Sequence, residues 1–410
     1  MVRRVTEQLG WILMLLWADT SMAESTQSIT LAQGTGSQAS EFATATWQGK
    51  WQWHANDAWS TQLAWQAQQH SWARQTAPRG LWQRQHSWAE VRQLAVRYQA
   101  GDWQYSAGWL TPDWRLTDTV SVASVWNVRD LQAFDEPESL AVPAVRAVWR
   151  GQWRQVRTLE VIVSPQLRAQ RQPSGIWQQA ATDLDALDMP NTAAVGVRLA
   201  GRWGADQWSV WAFDGRQSAA EFSATQFAAA ALSSEQALVL QSEPQSPLLA
   251  WQFPRKTAFG LTYQREFADG WISRSELGHI ELPTHEWWQA VQGIEHEWVG
   301  DTSSTLLLLQ YNKIWHQGTP ALLTMDMDQQ LAGFWLGRLQ YDPSGDMRTQ
   351  WQLEWSLGTH NGYWQARWQQ RLGDSQQLAV QWRQLHGSPD TLWGRYRQLD
   401  GAQVQWTYWF

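Results

Sequence analysis

The chain predicts an all-β fold, a transmembrane antiparallel up-and-down β-barrel of about eighteen strands. Three observations carry that expectation. Strand-sized segments alternate apolar and polar residues with a period of two along nearly the whole sequence. Tight turns and long connections alternate between those segments. Tryptophan accounts for 35 of 410 residues, and so many rings suit a lipid-facing wall with interfacial girdles better than a soluble core.

The N-terminus reads as an export signal. Arg3 and Arg4 precede a short apolar run from Gly10 to Trp17, and Ser21-Met22-Ala23 supplies small residues for cleavage. This predicts a signal peptide over residues 1–23. The run is too short to cross a bilayer, which takes about 20 apolar residues. Residues 24–410 then form a single barrel domain. The chain has no cysteine, so an exported protein of this size needs another restraint, and a closed hydrogen-bonded sheet supplies one. The net charge of −7 argues against nucleic-acid binding. Of 31 Lys and Arg, the lysines are Lys50, Lys256 and Lys313.

The alternation is clearest in three places. Ala43, Ala45, Trp47, Trp51 and Trp53 share a face opposite Thr44, Thr46, Gln48, Lys50 and Gln52. Met347, Trp351, Leu353, Trp355 and Leu357 oppose Arg348, Gln350, Gln352, Glu354 and Ser356. Trp364, Ala366, Trp368 and Leu372 oppose Gln365, Arg367, Gln369 and Arg371. The tight connections carry turn chemistry, as in Asn56-Asp57, Gly101-Asp102, Gly204-Ala205-Asp206, Asp269-Gly270, Gly300-Asp301, Pro343 to Asp346 and Gly373 to Ser375. Long connections fall near 70–87, 111–143, 165–192, 214–256 and 313–330. Those near Pro283 and Asn361 are short. About sixteen segments lie between Phe42 and Leu385. A terminal strand and a first strand at Ser28 to Ala32 bring the total to about eighteen, with sixteen as the alternative. A soluble sandwich or propeller is less suited, because no blade repeats and tryptophan recurs on one face of successive strands.

The last strand, Val404-Gln405-Trp406-Thr407-Tyr408-Trp409-Phe410, sets Val404, Trp406, Tyr408 and Phe410 on one face. It resembles the C-terminal strand of Gram-negative outer-membrane β-barrels. The resemblance implies outer-membrane location, lipid contact and recognition of Val404, Trp406, Tyr408 and Phe410 by the barrel-assembly machinery. The stretch from Thr111 to Pro165 resembles a large family of poorly characterised, porin-like outer-membrane barrels. In that family an Asn-Pro-x-Asp element and an acidic stretch precede a Pro-led strand. Here Asn127-Val128-Arg129-Asp130 has Val128 where the proline is expected.

With the aromatic face outward, the polar face lines a lumen. It carries Lys50, Arg97, Arg146, Arg150, Glu160, Arg198, Arg338, Arg348, Glu354, Arg367, Arg371 and Arg383. Arg274 and Glu276 are placed inward too, although the alternation from Trp271 to Leu282 is poorly phased. Such a wall admits two readings. It is an electropositive conduit for anionic or polar solutes, or its arginines pair with acids and fill a polar interior. The connection from Thr111 to Pro143 is too apolar for a solvated loop. It is expected to fold inward as a constriction bearing Asp118, Trp126, Asp130, Asp135 and Glu136, with Glu138 nearby. Trp72, Trp82, Trp114, Trp126, Trp177, Trp251, Trp315 and Trp393 fall in connections, where they join the girdle, pin loops or stack on ligand rings. The Ala-rich stretch from Ser218 to Leu240 suits a short helix at the mouth.

Nothing assigns a catalytic residue, a cofactor or a metal. No Gly-x-Ser-x-Gly element occurs. His279, His285, Glu286 and His296 flank one hairpin without the spacing of a closed metal site. Asp183, Asp185 and Asp188 lack the glycine and glutamate of an EF-hand. The expected function is a porin or channel for small hydrophilic or anionic solutes of unknown identity, through an Arg-rich lumen. The alternatives are a constricted barrel for a lipid-like or polymeric molecule, an outer-membrane hydrolase or acyltransferase, and a non-conducting scaffold.

Overall fold

A computed structural model describes residues 23–36, 41–73, 84–130, 138–171, 190–224, 249–318, 323–324, 327–388 and 391–410. The strands in order are β1 (Ala23–Gly36), β2 (Glu41–His54), β3 (Trp59–Ala73), β4 (Arg84–Ala100), β5 (Trp103–Leu110), β6 (Val128–Asp130), β7 (Glu138–Leu140) and β8 (Val142–Trp153). They continue with β9 (Val156–Ser164), β10 (Ala194–Trp203), β11 (Asp206–Arg216), β12 (Glu221–Ala224), β13 (Leu249–Gln252), β14 (Arg255–Glu266) and β15 (Trp271–Glu281). Then follow β16 (His285–Val299), β17 (Ser304–Gly318), β18 (Leu323–Thr324), β19 (Trp335–Asp342), β20 (Thr349–Leu357), β21 (Gly362–Arg371), β22 (Gln376–His386) and β23 (Gly401–Trp409).

Eighteen of these form one sheet in which each strand pairs antiparallel with its neighbours in the wall. The barrel closes between β1 and β23, from Ser28 opposite Trp409 to Gly36 opposite Gly401. The expected first strand at Ser28 to Ala32 is present and longer than its apolar core. β6 and β7 pair within one connection, and β12, β13 and β18 form a small separate sheet.

The alternation sorts side chains as the pattern requires. Leu31, Trp53, Leu94, Val96, Val145, Val197, Val210, Leu353, Val380 and Val404 are exposed on the outer face. Their neighbours one residue away point inward. At the seam, Ile29 and Leu31 face Tyr408 and Trp406 outside, while the Thr30 and Thr407 hydroxyls meet inside at 3.0 Å.

One end of the barrel carries the tight turns together with Ala23 and Phe410, and the other carries the long loops. A turn at Arg154 and Gln155 joins β8 to β9 without glycine or aspartate, so the turn chemistry did not announce it. Arg154 adopts a left-handed backbone with φ 56, a region that costs a non-glycine residue roughly 1–2 kcal/mol. Asp269 and Met347 do the same in other turns, with φ 67 and 57.

Some expectations shift. Trp315 lies in β17 and points outward, not in a connection. Arg348 lies in the turn before β20, pairs with Asp346 at 3.1 Å and is 70 % exposed, so it borders the tight-turn mouth instead of the strand wall. The turn is wider than the alternation suggests because Asp342 collects the backbone N–H groups of Ser344, Gly345 and Met347. Within the Ala-rich stretch, Glu221–Ala224 is strand instead of helix, since it pairs with β13 and β18. Residues 225–240 lie outside the described residues, as do 1–22.

Replacing Arg154 with glycine should relieve the turn and raise the temperature at which the folded barrel loses its compact electrophoretic mobility. A lowered transition would show that Arg154 has a compensating role.

Candidate functional site

The described part of the connection between β5 and β8 packs against the inner wall. It leaves the wall at Leu110 and packs into the barrel. Trp114, Val120, Val122, Ala123, Val125, Trp126 and Val128 are all buried. Trp126 sits edge-on to Phe213 at 5.1 Å and to Trp114 at 6.0 Å. The inner wall makes room with glycine. A Cβ on Gly196 would stand 2.6 Å from Trp114 and 2.7 Å from Trp126, and one on Gly278 would stand 2.3 Å from Val122.

A single carboxylate holds this segment. Glu276 on β15 is buried. One of its oxygens accepts the Leu116 and Thr117 N–H groups, both at 2.8 Å. The other accepts the Ser121 hydroxyl at 2.7 Å and the Ala123 N–H at 3.1 Å. The Thr117 hydroxyl lies between Glu276 and the Val120 carbonyl. Gln310 on β17 adds an acceptor for the Thr119 N–H at 3.1 Å. A buried charge must be compensated, and here loop backbone does so without a cation. The loop N–H groups lose water and gain charge-assisted bonds.

The far end of the same segment is tied by ions. Asp130 is bound by Arg92 at 2.7 Å and Arg171 at 3.2 Å. Glu90 takes Arg92 at 3.0 Å and also Arg171. Arg92 is the extra residue of a bulge in β4, because Trp65 pairs with Val91 and Ala64 with Gln93. That bulge turns its side chain inward onto Gln66 and Asp130. Burial disfavours the Arg171 charge, but Glu90 and Asp130 outweigh it and hold the guanidinium above the ordinary arginine range. The Asp130 to Arg171 bridge is parallel, so residues 165–171 brace the folded loop. Sequence reasoning missed Glu90, Arg92, Arg168 and Arg171, since a bulge breaks the strict alternation and the last two lie outside any strand.

The expected constriction residues divide into three groups. Asp118 is exposed and 3.5 Å from Arg274. Trp126 and Asp130 are buried anchors. Asp135 and Glu136 lie outside the described residues. Glu138 is the first residue of β7, opposite Asp130.

On the wall, Glu160 is fully buried between Arg146 at 2.6 Å and Arg198 at 2.9 Å. Arg338 pairs with Glu354 at 2.7 Å and Arg274 with Glu295 at 2.5 Å. Arg97 rests on Gln62 at 2.8 Å and is repelled by Arg146 and Arg150. Gln365 and Gln381, cross-strand neighbours of Arg383 and Arg367, bond to each other at 2.8 Å. Arg371 lies over Trp409 at 5.8 Å. Lys50 and Arg150 face inward yet are exposed, so solvent-filled space borders them.

Other candidates do not converge. His279 points outward and pairs with Glu286 at 3.3 Å. His285 is buried beside Glu221, and His296 stacks on Trp271. Among the described residues no three His, Cys, Asp or Glu side chains gather as a metal site. Asp183, Asp185 and Asp188 lie outside the described residues, as do the side chains of Trp72, Trp82, Trp177 and Trp251. Trp393 is buried and donates to the Ser356 hydroxyl at 3.2 Å, pinning the connection before β23.

No family model and no curated protein matches the chain. Solved structures do. OpdK of Pseudomonas aeruginosa, crystallised with vanillate, aligns over 95% of this chain and 98% of its own, with 10% identity and a TM-score of 0.51. The chain has the fold of the outer-membrane porins. OccK11 (OpdR) of Pseudomonas aeruginosa aligns over 95% of this chain and 96% of its own, at 8% identity and a TM-score of 0.51. OccAB3 of Acinetobacter baumannii aligns over 95% and 98%, at 7% identity and a TM-score of 0.50.

Glu276→Leu leaves loop donors buried without an acceptor, at about 1–3 kcal/mol for each donor so stranded. Gly196→Leu drives a side chain into Trp114 and Trp126. Both should loosen the folded segment and give faster protease cleavage between Thr111 and Asp130. Cleavage no faster than in the parent would show that the segment is held elsewhere.

Proposed function

We propose that the protein is an integral outer-membrane channel that passes small hydrophilic solutes and favours anions. One observation carries this reading. Glu90, Asp130, Glu160, Glu295, Asp118 and Glu354 are engaged by arginine, and Glu276 by loop backbone, while the inward Glu24, Glu266 and Glu297 lie exposed toward the tight-turn end. Lys50, Arg97, Arg150 and Arg371 have no acidic partner among the described residues. Among the described residues, the loop acids therefore do not cancel these four cations. A lumen bordered by cations without acidic partners attracts anions and raises their local concentration. OpdK with vanillate, a carboxylate, is a structural neighbour whose crystallised ligand agrees with this charge. The closed sheet and exposed aromatic outer face suit lipid, and the aromatic ending at Phe410 suits recognition by the barrel-assembly machinery.

Planar-bilayer recording of the folded protein under a salt gradient tests the reading. Ion current should appear, with a reversal potential on the anion side. Combined Lys50→Gln, Arg97→Gln and Arg150→Gln should move it toward zero, and high salt should blunt the preference as screening shortens to about 3 Å at 1 M. A silent barrel would overturn free diffusion, and unchanged selectivity in the triple variant would overturn the role of these cations.

Deleting Phe410 should lower the amount of inserted protein without changing the current of the channels that do form. Normal insertion would remove the ending from the assembly signal.

A further inference from the structure

Loop segments pair with one another at the loop end of the barrel. β12, from the connection between β11 and β14, pairs with β13 of the same connection and with β18 from the connection between β17 and β19. The chain before β12 is held on two sides. The Gln217 N–H donates to the Pro254 carbonyl at 3.0 Å, and the Ser218 carbonyl accepts the Gln170 N–H at 2.8 Å. Ala220 and Phe253 share a buried apolar cluster with Leu282, Trp287 and Ile314. A polar group is shut inside this contact. His285 begins β16, beyond the outward Trp288 and Trp315, and its side chain is 1 % exposed. The ring stacks on Trp287 at 5.3 Å, and Nδ1 meets the Thr284 hydroxyl at 3.0 Å. Nε2 is buried with no hydrogen-bond partner among the described residues. Glu221 Oε1, itself buried, is 3.9 Å away, beyond hydrogen-bond range, and accepts the Gln217 amide at 3.0 Å.

We infer that His285 is a proton-operated catch: neutral, it lets the small loop sheet dock on the wall, and a proton on its ring releases that sheet. A neutral imidazole carries one N–H, whereas an imidazolium carries two and a charge, and burial without partners for them is unfavourable. The docked site offers Nδ1 a hydroxyl and Nε2 nothing within reach. Two titratable groups face the ring, Glu221 from β12 and His316 from β17, the latter opposite Trp287. Glu221 favours the proton and His316 opposes it. Glu281, Glu286 and His279 lie on the outer face, where Glu286 and His279 pair at 3.3 Å, and Lys256 is two strands away on β14. Burial, and after it His316, holds the ring below the ordinary histidine range, so the pull of Glu221 does not prevail. Once released, the ring titrates near its ordinary value, about 6.5. The docked state therefore keeps its full stability above that value and loses it as pH falls below, down to the lower docked value. Gln170, bonded to Ser218, adjoins Arg171, which holds Asp130. Release thus also loosens the brace of the folded segment and widens the path, a consequence that rests on the channel reading above.

Hydrogen exchange of the full-length protein in liposomes, corrected for the intrinsic pH dependence of exchange, reads the docking directly. Between about pH 7.5 and about pH 5, where histidine charges, the amides of Glu221 to Ala224 should lose protection. The loss should be about tenfold for each unit between the docked and released pKa values. Amides of β20 to β22 should not change. His285→Asn keeps an amide for Thr284 but takes up no proton, and its protection should hold at both values. Glu221→Gln keeps an acceptor for Gln217 and should release at a higher pH than the parent. His316→Gln alters an exposed residue, which guards against a buried variant failing to fold, and should release at a lower pH. Protection that persists in the parent at acid pH, or is lost equally in His285→Asn, would overturn the proposal. A response abolished by Glu221→Gln would make Glu221 the sensor and overturn it as well. Planar-bilayer current of the parent should rise over the same interval, and that of His285→Asn should not. No current at any pH, with the exchange response intact, would overturn the channel reading and uphold the catch.

Discussion

In an apolar surrounding, each backbone N–H and C=O needs a partner within the protein. A sheet meets that demand only if it has no free edge, so β1 and β23 must find each other. Their register matters as much as their contact. Thr30 meets Thr407 inside while Ile29 and Leu31 meet Tyr408 and Trp406 outside. A slip of one residue would put threonines and glutamines outside and the rings in the lumen. The aromatic ending of the chain is thus one side of a seam, matched by a first strand with a much weaker sequence signal.

Closing the sheet creates an interior that must be filled or wetted. The loop residues from Thr111 to Asp130 fill part of it, and their docking uses two kinds of compensated charge. Glu160 is neutralised by arginines, so it fixes the wall and removes cations from the lumen. Glu276 is neutralised by backbone and hydroxyl donors, so it fixes the loop and leaves cations untouched. That difference shapes the field in the barrel. An arginine holding the loop in place of these donors would have needed a second acid or left the loop N–H groups unpaired. Gly196 and Gly278 serve the same docking sterically by letting Trp114, Trp126 and Val122 lie directly on the sheet.

The fold was legible because period-two alternation survives in nearly every strand and because aspartate and glycine mark most tight turns. The turn at Arg154 escaped because its backbone is set by the strands it joins and not by turn residues. The inward direction of Arg97, Arg146, Arg198, Arg338 and Arg367 followed from alternation alone. Their partners did not, since Glu160 and Glu354 could be assigned to a face but not to an arginine. Arg92 was hidden by its bulge and Arg171 by its loop. Glu276 was placed inward, yet its role depends on four loop residues more than 150 positions earlier, a separation that no local pattern encodes.

The poor alternation from Trp271 to Leu282 has a physical source. On the inner side of β15 and β16, Ile280, Trp287 and Val291 are buried under folded connections, so that face is apolar where other strands are wet. On the outer side, Ser273, Ser275 and Gln292 are polar where other strands are apolar. Period-two contrast arises when one face meets lipid and the other meets water. It fades where a strand meets protein on its inner face, as this segment does. The same segment therefore ties the internal loop, through Glu276, to the external face, through Ser275 one residue away.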